Sequence, residues 1–110
     1  MSEKYAYLAG LIDGDGCIYI SDKQLKIEIT SNNKDFLEQI RYYYQVGRIY
    51  AKPIKGTLAK SQPYQLRITG RYARSLLIKV SPFLVLKYDF ASWILKNQHL
   101  IKWAYMRFDI

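Results

Sequence analysis

Two aspartates separated by a glycine, in Asp13-Gly14-Asp15-Gly16, are the residues of this 110-residue chain whose types and spacing most directly suggest chemistry. They close the run Leu8-Ala9-Gly10-Leu11-Ile12, which is helix-forming and rich in small residues, and an alternating strand pattern follows at once. At about 100° per residue, Tyr5, Leu8, Ala9 and Ile12 share one face suited to a core. Ala6, Gly10 and Gly14 recur every fourth position on the other side, a nearly bare stripe that lets a second backbone come close. Asp15 is expected just past the helix end, where the negative pole of the macrodipole and unpaired carbonyls disfavour a further negative charge unless a cation offsets it. Carboxylate and backbone oxygens gathered there suit a hard divalent ion. The plainer alternative is a glycine helix stop followed by an Asp-Gly turn, with both carboxylates in solvent.

The elements that must position these groups follow from periodicity. A first helix is predicted over residues 2 to about 13, with Ser2 as its cap and Glu3 in its first turn. Residues 17–21 alternate, Ile18 and Ile20 facing one way and Tyr19 and Ser21 the other, and Cys17 is expected to pack at the start of that strand. Asp22-Lys23 reads as a hairpin turn. Residues 25–30 alternate again, with Leu25, Ile27 and Ile29 inward and Lys26, Glu28 and Thr30 outward. Ser31-Asn32-Asn33 supplies cap chemistry for a second helix over 34–44, whose buried stripe is Phe36, Leu37, Ile40 and Tyr44. Gly47 marks a chain reversal before a strand over 48–52, in which Arg48, Tyr50 and Lys52 share one face. A polar, basic loop containing Lys55, Gly56 and Lys60 leads to a strand over 64–69, with Leu66 and Ile68 inward and Gln65, Arg67 and Thr69 outward. After Gly70 a third helix is predicted over 71–80. Ser81-Pro82 reads as the start of a fourth helix reaching about residue 97, and Leu100, Ile101, Trp103, Ala104 and Phe108 suggest a short last helix closing the core.

The order αββαββα predicts a single α+β domain over residues 1–110: a four-stranded, mostly antiparallel sheet with helices on one face. The other face then carries Tyr19, Ser21, Lys23, Lys26, Glu28, Thr30, Arg48, Tyr50, Lys52, Gln65, Arg67 and Thr69. Its lysines and arginines outnumber its one glutamate, and such a face suits a β-ribbon in the major groove of DNA. The chain as a whole has 17 basic and 9 acidic residues, a net charge of +8, which favours a polyanionic partner. Eleven tyrosines are available for nucleotide contacts as well as for the core. No apolar run approaches the roughly 20 residues of a membrane span, and no secretory leader is read before Tyr5. The single cysteine forms no internal disulfide and suits a reducing compartment.

Other chemistries lack their residues. A calcium loop starting at Asp13 would need Gly where Ile18 stands and Glu where Gln24 stands. One Cys and one His do not make a zinc site, a Ser-His-Asp triad would rest on His99 alone, and no Gly-rich phosphate loop is present. Nucleases built on a histidine pair or a Glu-x-Lys element are excluded likewise. Phosphodiester hydrolysis at carboxylate-bound metal is the chemistry left.

Residues 8–16 also resemble the signature of the LAGLIDADG homing endonucleases, with Gly14 in place of the second alanine. The resemblance implies that fold, with the polar sheet face as a DNA-binding saddle, and a helix that pairs with its symmetry mate. Asp15 would then bind the catalytic metal, with the Gly14 carbonyl as a second ligand. Ala6, Gly10, Leu11, Asp13 and Gly14 would form the dimer interface, and a single motif copy implies a homodimer and a long, pseudo-palindromic double-stranded DNA target. The resemblance further implies cleavage across the minor groove with 3′ overhangs, in an intronless allele, with Mg2+ as cofactor (Mn2+ or Ca2+ can occupy the same site). Lys87 falls where the family carries a lysine near the active centre, and Ser31 and Asn32 where a polar residue orients the water; Asn32 is the candidate. Such an enzyme is expected inside the cell, in the cytoplasm or an organelle, near the nucleoid. The alternative is a non-cleaving relative that acts as an intron-RNA splicing cofactor or a DNA-binding regulator; a third reading is a small basic structural protein that only dimerises.

Overall fold

Leu8, Ala9 and Ile12 are buried to within 1% of complete, and this stripe holds the first helix, α1 (Ser2–Asp15), on the core. The structure, a computed structural model, describes residues 2–53 and 62–100. α1 continues through Gly14 and Asp15, past the predicted stop, so Asp15 is the last helical residue. The exit is made by Gly16 instead. A Cβ there would lie 2.7 Å from the Ile12 Cα, 3.0 Å from the Ile12 carbonyl oxygen and 3.1 Å from that of Glu28. Only glycine lets the chain leave the helix and enter β1 (Gly16–Ser21) without a linker.

β1 pairs with β2 (Gln24–Ser31) through the two-residue turn Asp22-Lys23. Both turn residues are left-handed, at φ 54° and 61°, the handedness that matches the twist of the flanking strands. Leu25, Ile27 and Ile29 alternate into the core as the pattern predicts. Asn33 then caps α2 (Lys34–Tyr44): its Oδ1 accepts from the Phe36 amide at 3.0 Å, and its own amide donates to the Ser31 Oγ at 3.0 Å. The Tyr44 hydroxyl donates to the Lys4 carbonyl at 2.6 Å and ties α2 to α1. At Gly47 (φ 91°) a Cβ would meet Leu66 at 2.8 Å, so the reversal into β3 (Arg48–Ala51) also needs glycine. β4 (Tyr64–Thr69) leads directly into α3 (Gly70–Val80).

The sheet order is β1-β2-β4-β3 with every neighbouring pair antiparallel. Its inner face is built from Ile18, Leu25, Ile27, Ile29, Leu66 and Ile68, covered by Leu8 and Ile12 of α1, Leu37 and Ile40 of α2, and Leu77 and Val80 of α3. Each such side chain contributes roughly 1.5–3 kcal/mol by burial, which fixes which face of the sheet is left outward. Ala51, at the end of the edge strand, is exposed and not inward as its alternation suggests.

The fourth helix departs from expectation. Ser81 and Pro82 begin a single 3-10 turn (Ser81–Phe83), Leu84 is extended, and α4 (Tyr88–Lys96) starts only after a turn at residues 85–87. The amides of Val85 and Lys87 are taken by the Asp13 carboxylate and cannot extend a helix backward. A second 3-10 turn (Gln98–Leu100) is held by Arg74, whose Nε donates to the Gln98 side chain. The loop bearing Lys55, Gly56 and Lys60, and the last-helix residues Ile101, Trp103, Ala104 and Phe108, lie outside the described residues. No described helix is long and apolar enough to cross a membrane.

Gly16→Ala is expected to cost about 1–3 kcal/mol, since backbone rather than a flexible side chain occupies the space its methyl would need. Urea unfolding of the two proteins measures it.

Candidate functional site

The two aspartates at the end of α1 have different fates. Asp13 is spent inside the chain: Oδ2 accepts from the Val85 amide at 2.7 Å and Oδ1 from the Lys87 amide at 3.0 Å. Lys87 in turn donates its Nζ to the Asp13 carbonyl at 2.9 Å. α1 has no basic residue of its own in its last turn, so this distant lysine supplies the cation that a helix C-terminus favours. Desolvation pulls the Asp13 carboxyl upward, but the amides of Val85, Lys87 and Leu86 and the Lys87 charge together hold it below the ordinary carboxylate range.

Asp15, two residues on, is exposed and makes no hydrogen bond or ion pair among the described residues. It is the free carboxylate at the negative pole of α1, beside the exposed Gly14 backbone and two residues beyond the Asp13–Lys87 contact. An all-oxygen donor set of this kind fits a hard divalent cation. One chain supplies few such donors: among the described residues no group of three His, Cys, Asp or Glu side chains stands close enough to hold a metal ion.

The stripe on the outer side of α1 is as bare as predicted. A Cβ at Gly10 or Gly14 would meet nothing within 4 Å, and Ala6 and Leu11 beside them are half-buried. Next to the last turn, Val85 and Leu86 leave 79% and 77% of their surface in water. Bare backbone and two fully presented aliphatic side chains thus border one another.

The outer face of the sheet is organised by its one acidic residue. Glu28 sits on the central strand pair, and its Oε1 accepts from Gln65 Nε2 at 2.8 Å. Its Oε2 accepts from Arg67 Nε at 3.1 Å and also from the Tyr19 hydroxyl. Arg67 donates a second bond to Gln65 Oε1 at 2.7 Å, and its guanidinium lies 4.6 Å from the Tyr50 ring centroid. Burial, and then the Glu28 carboxylate, push the Tyr19 hydroxyl up to about 12, so it remains a donor across the physiological range. Gln65 belongs to this face by register, yet its side chain is buried, at 6% exposure, and every polar atom the network needs is engaged. Its place is to hold Arg67 rather than to meet a ligand. Ser21, Lys26, Thr30, Arg67 and Thr69 are partly exposed, while Lys23, Arg48, Tyr50 and Lys52 are open to solvent.

Asn32 is exposed just beyond the end of β2, whose Ile29 pairs with Gly16; this puts Asn32 at the same end of the sheet as Asp15. Helix capping does not consume it, because Asn33 is the cap. Cys17, expected to pack, is exposed on the outer face two residues after Asp15. Sequence reasoning missed the Glu28 hub and the Asp13 clamp. The first was within reach, since Glu28 and Arg67 alternate to the same face and are register partners. The second joins positions 72 and 74 residues apart and leaves no local signal.

A profile of the LAGLIDADG-like domain matches residues 2–80. No curated protein matches the chain. Among solved structures, the homing endonuclease I-CvuI in complex with its target in the presence of calcium aligns at a TM-score of 0.65 and 23% identity, over 86% of this chain and 65% of that one. The archaeal intron-encoded homing endonuclease I-Vdi141I complexed with DNA gives 0.61 and 21%, covering 89% and 72%. The homing endonuclease I-TnaI gives 0.58 and 22%, covering 94% and 81%. At such identities the likeness is one of fold, and the chain spans 65% and 64% of the length in the two I-CvuI structures it matches.

Asp13→Asn is expected to lose about 1–2 kcal/mol of unfolding free energy at neutral pH, whereas Asp15→Asn stays within about 0.5 kcal/mol. Because the folded state lowers the Asp13 pKa, its contribution is complete above about pH 4 and is lost as pH falls through the folded value. The gap between wild type and Asp13→Asn should therefore close under acid, as read by denaturation at a series of pH values.

Proposed function

The chain belongs to the LAGLIDADG-like domain family, and from that membership we propose that it is a site-specific double-strand DNA endonuclease, working as a homodimer with divalent metal ions, Mg2+ foremost. The observation that carries the reading is the free, exposed Asp15 carboxylate at the end of a helix whose outer side is bare at Gly10 and Gly14. Two α1 helices packed along Ala6, Gly10, Leu11 and Gly14 would bring two Asp15 groups to one twofold axis and cover Val85 and Leu86. The related structures solved with calcium or magnesium present support divalent metal use.

Each Asp15 carboxylate, with the Gly14 carbonyl, would hold a metal ion against the scissile phosphate. Bound there, such ions would supply neutralising charge and Lewis acidity. Lys87 brings a fixed positive charge to the same helix end, since Asp13 positions it by three hydrogen bonds. Asn32 is the exposed polar group suited to orient the attacking water. The outer face would read a long, pseudo-palindromic target, with Lys23, Lys26, Arg48 and Lys52 on phosphates and the Glu28-held Arg67 presented to base edges. Such work places the protein inside the cell, in the cytoplasm or an organelle.

Incubation with a randomised-site duplex library and Mg2+, followed by sequencing of the cut ends, tests the reading; a discrete site is expected, and the absence of any cut would refute it. Asp15→Asn should lose cleavage by at least about 100-fold, on the scale of losing a group that stabilises the transition state, while binding in Ca2+ persists. Gly10→Leu should sediment as a monomer at concentrations where the wild type is a dimer.

A further inference from the structure

Around the edge strand β3, where α2 ends and α3 begins, lies an open basin of about 890 Å³. Arg41 and Tyr42 enter it from α2, Arg48 and Tyr50 from β3, Arg67 from β4 and Tyr72 from α3. Three guanidiniums and three phenol rings thus meet in one concavity, and among the described residues no carboxylate lines it. Glu38, one turn earlier on α2, is paired with Lys34 at 3.8 Å.

The aromatic groups are not serving the core. Tyr42, Tyr50 and Tyr72 expose 76%, 42% and 53% of their surface, and grouped exposed rings mark a binding surface more than scattered ones do. Two are already backed by cations: Arg67 lies over Tyr50 at 4.6 Å, and Arg71 over Tyr72 at 5.2 Å. Tyr42 has no ring or cation partner among the described residues. Arg41 is steadied by donating its Nε to the Gly47 carbonyl at 3.0 Å, which leaves its terminal nitrogens for an anion. The basin sits at the opposite edge of the sheet from Asp15: it surrounds β3, whereas Asp15 leads into β1, and β2 and β4 lie between these two edge strands.

From this geometry we propose that the basin binds an unpaired nucleotide, its base stacked on Tyr42 and Tyr72 and its phosphate held by Arg41 and Arg48. A duplex offers mainly phosphates and has no use for the exposed rings of Tyr42 and Tyr72, whereas every unpaired base has a π-face and its backbone an anion for Arg41 and Arg48. The site shares Arg48 with the duplex-facing side of the sheet, adds Arg41, Tyr42 and Tyr72 beyond it, and stands without the cleavage reading. It does not distinguish deoxyribose from ribose.

The test is fluorescence anisotropy of full-length protein with labelled 12-nucleotide oligothymidylate and oligouridylate, and with a 12-base-pair duplex of arbitrary sequence. Tyr42→Ala/Tyr72→Ala, which changes two exposed side chains, is expected to weaken single-strand binding by about tenfold or more and duplex binding by less than about twofold. Arg41→Ala should lower the salt dependence of single-strand binding by about one ion. Tighter binding of either oligonucleotide would identify the natural source and support the site. Equal losses for single strand and duplex would overturn the proposal, as would no loss for either, or displacement of the oligonucleotide by inorganic phosphate alone. A protein that cuts no duplex yet passes this test would defeat the endonuclease reading only.

Discussion

The last turn of α1 carries two negative charges at the negative pole of a helix, and the structure around it is arranged to make that tolerable. Asp13 is neutralised by partners that come from more than seventy residues away: two amides of the turn at residues 85–87 and the Lys87 ammonium. A carboxylate that accepts two backbone amides and has a lysine beside it is stable where a solvated one would fray the helix. The same bonds break what would be a continuous fourth helix and anchor Lys87 at the C-terminal end of α1. Electrostatic relief for one aspartate therefore also brings a fixed cation to the helix end that carries the other.

A related device organises the outer face of the sheet. A lone carboxylate among basic side chains draws them inward, and Glu28 gathers Tyr19, Gln65 and Arg67 into one network. Glu28 is only slightly exposed, so its charge is affordable because all of its donors are in place. The result is a guanidinium whose direction is set before any ligand arrives. Arg67 carries both an ion pair and a ring contact with Tyr50, and so loses little conformational entropy on binding. The open arginines and lysines at the rim have no such restraint and suit phosphate contacts.

Much of this was legible in the chain. Leu25, Ile27 and Ile29 alternate with a period of two, and Leu37, Ile40 and Tyr44 recur with that of a helix; both patterns report which side is buried, because one face of each element must leave water. The bare stripe of Gly10 and Gly14 followed from helical phase in the same way. Local glycine chemistry was harder to read. Gly14 suggested a helix stop, yet packing of Leu8 and Ile12 carries α1 through it, and the true exit at Gly16 is dictated by a backbone contact with Ile12 and Glu28 that no local rule contains.

What the sequence by itself determined is the set of elements, the inward faces, the sign of the surface charge and the motif that names the family, since each depends on neighbours a few residues apart. Which aspartate is bound and which is free, where the fourth helix begins, and that Gln65 holds Arg67 instead of facing outward were decided only by tertiary structure. Those outcomes turn on hydrogen bonds between groups 37 to 74 residues apart, whose partners are chosen by how the helices and strands pack.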